Sequence, residues 1–230
     1  MKPLLIKNGR VIDPASGLDD KRDVLIEAGR IAALDKNISR ADAEVFDASS
    51  LIVSPGFIDL HVHLREPGKE SAETIATGTR AAAAGGFAAV TCMPNTQPAN
   101  DSPLVTRYIL GEAAKAGGVR VYPVGAVTKG SGGEELAEIE SMRAAGIVAV
   151  SDDGRPVANS RLLRRALEYC AALDIPLIDH CEDAHLAAGG VMHEGEWSVR
   201  LGLRGIPALA EELPVLRNVM VAALTRARVH

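Results

Sequence analysis

The chain has 230 residues, 47% hydrophobic and 24% charged, an ordinary globular composition that excludes a disordered or collagen-like protein. Its 25 basic and 30 acidic side chains leave a net charge of −5, which argues against a nucleic-acid binder, since such a protein presents a basic face. Three cysteines, Cys92, Cys170 and Cys181, form no CxxC pair, and an odd number cannot close a fully paired disulfide scaffold, so a reduced, cytoplasmic compartment is expected.

In chain order, the opening MKPLLIKNGR turns polar too soon for a signal-peptide core. The longest weakly polar stretch, Ala81 to Pro94, falls well short of the roughly 20 residues of a membrane span. Leu4-Leu5-Ile6, Asn8-Gly9 and Val11-Ile12 predict a hairpin, because Asn-Gly supplies the positive φ values of a tight primed turn. The phrase recurs at Ile26-Glu27-Ala28-Gly29-Arg30-Ile31. Two hairpins plus Ala43 to Ile52 predict a small β-layer over residues 1–52, with no visible chemistry.

Over residues 53–230 short apolar strands alternate with longer helical stretches. The strands are expected at Ile52–Leu60, Phe87–Met93, Val119–Val124, Ile147–Val150 and Pro176–Ile178. Helices are expected at Ala72–Ala84, Pro103–Ala116, Glu134–Ala145, Arg161–Leu173 and across Ile206 to Arg226, with left-handed glycine caps at Gly85, Gly117 and Gly146. Such alternation predicts an α/β protein with a parallel sheet wrapped by helices. An open doubly wound sheet fits the pattern, but no GxGxxG follows the first of these strands. Polar clusters instead follow successive strands, and a closed (β/α)8 barrel gathers all strand ends at one mouth. The chain is short for that fold, which typically takes about 250 residues. Five strands and the start of a sixth at Arg228-Val229-His230 make the expected barrel incomplete, with exposed sheet edges and exposed core that predict poor solubility.

His61-Val62-His63 is the strongest chemical signal. Residues two apart in a strand share a face, so both imidazoles can converge on one metal ion, although an isolated HxH is more often two ordinary histidines. Asp152-Asp153-Gly154 follows another strand, where only one aspartate can enter the mouth and the alternative is a charged turn. His180 follows Pro176-Leu177-Ile178-Asp179 and is a third candidate ligand. Arg65, two residues beyond His63, suits a bidentate grip on a carboxylate; otherwise it pairs with Glu66 or Glu70. Asn95 is balanced between a binding role and a turn. Lys129, in a glycine-rich loop without P-loop spacing, is read as solvated, as are His185 and His193, and Cys181 as buried packing.

With these residues in place, Pro55-Gly56-Phe57-Ile58-Asp59-Leu60-His61-Val62-His63-Leu64-Arg65-Glu66-Pro67-Gly68 resembles the first barrel strand of the amidohydrolase superfamily, and specifically of the bacterial-type (class I) dihydroorotases. Met93-Pro94-Asn95-Thr96, Thr128-Lys129-Gly130, Ser151-Asp152-Asp153-Gly154 and His180-Cys181-Glu182-Asp183 follow in the order of that family, over the whole chain. The resemblance implies a metal-dependent hydrolase barrel with a composite N-terminal β-sandwich portion. It implies two zinc ions held by His61, His63, Asp153 (bridging) and His180, with His63, Arg65 and Asn95 on the substrate. Relatives such as hydantoinases bridge their metals with a carboxylated lysine near the fourth strand, and Ile147 to Asp153 contains no lysine.

His230 resembles the first histidine of an HxxHxS phrase whose second histidine binds the other zinc. The general acid/base aspartate of the family comes from a later strand, so no catalytic residue of that kind is expected within the chain, which is read as the N-terminal part of such an enzyme. The implied reaction is the interconversion of N-carbamoyl-L-aspartate and dihydroorotate, a small-molecule chemistry with no nucleic-acid or membrane partner. A homodimer and docking to aspartate carbamoyltransferase stay open. The competing readings are another cyclic-amide hydrolase, such as an allantoinase or hydantoinase, and a non-catalytic partner of aspartate carbamoyltransferase.

Overall fold

Two compact units divide after Gly56 in the computed structural model, which describes residues 2–230. The first is a five-stranded sheet built on β1 (Leu4–Asp13), with β2 (Leu18–Glu27) antiparallel to it and β3 (Arg30–Asp35) antiparallel to β2. Two short strands, β4 (Glu44–Asp47) and β5 (Ile52–Val53), pair in parallel with successive stretches of β1.

The hairpin expected at Asn8-Gly9 does not form there. β1 runs straight through, and Asn8, at φ 64°, makes a bulge between Ile6 and Gly9 in the pairing with β2. The Asn8 N–H donates to Asp23 Oδ1 at 2.9 Å, and a Cβ at Gly9 would stand 2.5 Å from Val53 Cγ2, so the bulge needs both residue types. The reversal comes later, where Asp13 accepts from the Ala15 N–H and the Ser16 hydroxyl and Gly17 takes φ 69°. The second predicted hairpin forms: Ala28 and Gly29, at φ 48° and 73°, join β2 to β3 with Glu27 opposite Arg30.

The stretch expected as one strand from Ile52 to Leu60 is broken by Ser54-Pro55-Gly56, since proline offers no N–H to a ladder. Its second half is β6 (Phe57–Val62), the first strand of the other unit. There β6, β7 (Phe87–Cys92), β8 (Arg120–Gly125) and β9 (Ala149–Val150) form a parallel sheet in chain order. Between them run α1 (Ile75–Ala84), α2 (Pro103–Ala116) and α3 (Ile139–Ala145). The expected strand at Pro176–Ile178 shortens to a bridge: Leu177 pairs in parallel with Val150 on one side and Val229 on the other. The sheet thus continues in chain order to the residues read as a sixth strand.

Helix α4 (Ser160–Ala172) starts on an Asn159 cap that accepts from the Arg161 and Leu162 N–H groups. Before the long helix α7 (Leu209–Thr225) lie α5 (Ala184–Ala187), β10 (Met192–His193), α6 (Glu196–Leu201) and β11 (Gly205–Ile206). The helix expected from Glu134 starts only at Ile139, because residues 134–138 fold back on the loop after β8: Leu136 bridges Thr128, and the Ala137 N–H donates to the Val127 carbonyl at 3.0 Å. Gly117 takes the expected left-handed cap at φ 62°, and Gly146 also has positive φ (121°). Gly85 stays right-handed, and Gly86 makes the turn at φ 83°.

Apolar packing centres on Ile75, Val90, Val105 and Ile109 between α1, α2 and β7, and on Met142, Ile147, Leu163, Leu167 and Leu177 between α3, α4 and the later strands. On β6, Phe57, Ile58 and Leu60 are each about three-fifths exposed (59%, 59% and 60%), as an uncovered edge of an incomplete barrel would leave them. Among the described residues no helix is long and apolar enough to cross a membrane.

Cys92 and Cys170 are buried, and burial pushes both thiols up to about 12, so neither forms a thiolate at neutral pH. Iodoacetamide at about pH 8 should therefore label only the partly exposed Cys181 in the folded chain, and all three cysteines after denaturation. Labelling of Cys92 at the same rate as Cys181 would contradict the packing of β7.

Candidate metal centre

Three strand ends supply the group. His61 lies within β6 and His63 just after it, on one face by the two-residue period, with ring centroids 5.2 Å apart and planes at 76°. Asp153 follows β9. Its Oδ1 stands 3.1 Å from His61 Nε2 and its Oδ2 4.0 Å from His63 Nδ1. One ligand atom from each of the three residues lies within 4.8 Å of the other two, a grouping that could hold a metal ion.

The pair of aspartates divides its labour. Asp152 is 4% exposed and turns into the protein, where its carboxylate accepts from the Val127 N–H at 2.9 Å, the Thr128 N–H at 3.0 Å and the Thr128 hydroxyl at 2.5 Å. Burial pushes its pKa above the ordinary carboxylate value, against the pull of these donors. Asp153, next along, takes φ 55° and its N–H donates to Ser151 Oγ, which aims its own carboxylate at the histidines. One aspartate therefore fixes the loop after β8 to the end of β9, and the other is presented at the mouth.

Asn95 completes the arrangement from the end of β7. Its side-chain NH2 donates to Asp153 Oδ2, which leaves its carbonyl oxygen 3.0 Å from His63 Nδ1. A carbonyl can only accept, so this contact suits the tautomer of His63 with its proton on Nδ1. The structure thus brings His61, His63, Asp153 and Asn95 together. It does not bring His180 into the group: that side chain is exposed and its Nε2 lies 3.9 Å from Glu182 Oε2.

Arg65, at φ 61°, has no carboxylate within 4.0 Å among the described residues. Both expected ion-pair partners are engaged elsewhere. Glu66 accepts from the Ile75 N–H at 2.8 Å and the Tyr108 hydroxyl at 3.2 Å, and Glu70 from the Gly68 N–H at 2.6 Å. Lys129 pairs with Glu135 at 2.6 Å on the surface, and His185 and His193 are exposed. Cys181 Sγ accepts from the Asn218 amide at 3.4 Å rather than packing in apolar surroundings.

Sequence reasoning missed the group behind His180. Asp179, with its side chain 1% exposed, accepts from Asn218 Nδ2 at 2.6 Å and the Val157 N–H at 3.2 Å, and lies 3.5 Å from Arg217. The available signal was Asn218, a polar residue in the apolar run of α7 that is buried against this carboxylate.

A family model described as Dihydro-orotase-like matches residues 50–230. A curated dihydroorotase of Solibacter usitatus is 60% identical over 228 residues, covering 99% of this chain and 53% of that protein. A dihydroorotase of Syntrophotalea carbinolica is 57% identical over 227 residues, with the same coverage of 99% and 53%. The chain spans about half the length of the curated relatives it matches. Among solved structures, the L-hydantoinase (dihydropyrimidinase) from Arthrobacter aurescens superposes with a TM-score of 0.79 at 21% identity, over 100% of this chain and 52% of that one, a likeness of fold.

Removing the Asn95 hydrogen bonds should weaken the centre without removing a ligand. We expect Asn95→Leu to lower affinity for Zn2+ or Co2+ by about 10–100-fold in a chelator competition, since partners of metal-binding histidines act on that scale. An unchanged affinity would show that His63 is oriented without Asn95.

Proposed function

Because this chain belongs to the dihydro-orotase-like family, we propose that it forms part of a zinc-dependent dihydroorotase. On this reading a (β/α)8 barrel interconverts N-carbamoyl-L-aspartate with dihydroorotate and water in the cytoplasm, for de novo pyrimidine synthesis. The observation that carries the proposal is the convergence of His61, His63 and Asp153 at strand ends, in a chain up to 60% identical to dihydroorotases. The free state of all three cysteines suits the proposed compartment.

The donor set fits zinc. Imidazole nitrogen and carboxylate oxygen bind it at about 2.0–2.2 Å, which puts ligand atoms in a tetrahedral shell roughly 3.4 Å apart. The 3.1 Å between His61 Nε2 and Asp153 Oδ1 and the 4.8 Å span of the whole group bracket that spacing. His61, His63 and Asp153 would hold a zinc ion; His180, which stands outside this group, is the residue the family resemblance assigns to a second. When bound, zinc supplies Lewis acidity toward an amide carbonyl and a water that ionises near neutral pH.

The residues of the chain do the remaining work. Asn95 holds the His63 tautomer and steadies Asp153. Arg65, free of acidic partners, is suited to grip the carboxylate that dihydroorotate and N-carbamoyl-aspartate share, and so to orient the ring amide or ureido group over the centre. A hydantoin offers no such carboxylate, so Arg65 favours dihydroorotate over the cyclic amides of the structural neighbours.

The test is the rate of the intact, zinc-loaded protein on dihydroorotate and on hydantoin. Dihydroorotate should be the faster substrate, and faster hydantoin cleavage would defeat the proposal. Arg65→Ala should raise KM by about tenfold or more, the loss of a charge-assisted contact, with zinc content unchanged. Loss of zinc from that variant would place Arg65 in the metal centre instead.

A further inference from the structure

Beside the three-residue group opens a cleft of about 320 Å³, at the small end of the range for small-molecule sites. Asn95 and Asp153 form its wall on the metal side; Thr96 and Gly130 line it further out, and Lys69 and Arg155 bring two cations to it. Neither cation has a carboxylate within 4.0 Å among the described residues. Arg155 donates only to the Ser131 carbonyl, at 3.3 Å, which steadies the guanidinium and leaves its other N–H groups free.

The acidic residues that could neutralise Lys69 are all committed. Glu66 and Glu70 accept from the backbone and hydroxyl donors named above, and Glu73 accepts from the Thr74 N–H at 3.2 Å. Asp152, also in the wall, gives its oxygens to Val127 and Thr128, and Asp153 faces the histidines. The Lys69 N–H donates to the Arg65 carbonyl at 3.0 Å, so Lys69 and Arg65 sit on one turn after β6, while Arg155 comes from the loop after β9. In a chain with a net charge of −5, two cations with no carboxylate within 4.0 Å thus line the cleft beside the metal group.

We propose that Lys69 and Arg155 form an anion subsite in this cleft, separate from the Arg65 grip, that favours dicarboxylates. The inference rests on the function proposed above for its natural ligand. N-carbamoyl-aspartate carries two carboxylates and dihydroorotate one: Arg65 keeps the shared carboxylate, and the subsite meets the second as the open-chain partner enters, before it moves to the metal group where its carbon becomes the ring amide carbonyl. Its contribution is electrostatic, partly exposed, and therefore sensitive to salt.

The experiment uses the intact, metal-loaded protein, its K69A/R155A double variant and Arg155→Lys. The double variant should raise KM for N-carbamoyl-aspartate about tenfold, as two partly exposed charge contacts would. KM for dihydroorotate should rise about threefold or less, with kcat and metal content held. High salt should shrink the difference, and Arg155→Lys should restore most of the affinity. Equal effects on both substrates, or none, overturn the subsite; so does a fall in metal content alongside kcat, which would mark a structural role. Calorimetry with succinate separates the two readings. If the protein turns over neither substrate, the proposed function falls, and the subsite then stands only if succinate binds the parent protein and binds the double variant about tenfold more weakly. Failure of succinate to bind the parent protein overturns it.

Discussion

The carboxylate of Asp152 is the constraint on which the site depends. It is buried, and it accepts two backbone N–H groups and a hydroxyl from Val127 and Thr128. A carboxylate taken out of water is costly unless its oxygens are satisfied. Here three donors from the loop after β8 supply that compensation and fasten the loop to the end of β9. With Asp152 committed inward, the next residue must turn away, and Asp153 does so by adopting φ 55°. The strained residue is the one that meets the histidines, so backbone strain sits where the chemistry is. Thr128 also accepts from the Gly133 N–H through its hydroxyl, which carries the order of the clamp into the loop that flanks the cleft.

Much of this was legible in the sequence, because strand periodicity and strand ends are local properties. The two-residue spacing of His61 and His63, the apolar runs at Phe87 and Val119, and the boundaries of α2 and α4 follow from side-chain pattern and capping chemistry alone. The choice between Asp152 and Asp153 was not legible. It is decided by N–H groups about 25 residues earlier in the chain, which no window of sequence displays. The Asn8-Gly9 reading failed for a related reason. Positive φ is equally useful to a turn and to a bulge, and the close approach of Val53 from another strand selects the bulge. Residues 134–138 look helical in composition, yet their carbonyl and N–H groups pair back onto Val127 and Lys129. Non-local hydrogen bonding overrides propensity in each of these places.

His180, outside the three-residue group, shows how far local order extends beyond it. Directly before it, Asp179 is locked by Asn218 and Val157, and the Leu177 backbone is paired on both sides. The imidazole itself has only Glu182 nearby and is exposed. Its backbone is therefore placed by a buried polar network, while its ring is held by nothing comparable to the Asn95 bond on His63. A histidine with a fixed main chain and a free ring can still be oriented by an added ligand, whereas the His63 ring already has a hydrogen-bond partner in Asn95.

The residue at the end of β9 also bears on substrate class more than the fold does. A likeness of fold at 21% identity to a hydantoinase leaves function to be argued from the side chains at the strand ends. A lysine at such a strand end would carry no oxygen donor of its own. Asp153 brings its own oxygens on a short side chain, and without any modification they stand 3.1 Å from His61 Nε2 and 4.0 Å from His63 Nδ1. Asp153 also lines the cleft that Lys69 and Arg155 reach. The same short side chain thus belongs both to the three-residue group and to the wall of the cleft.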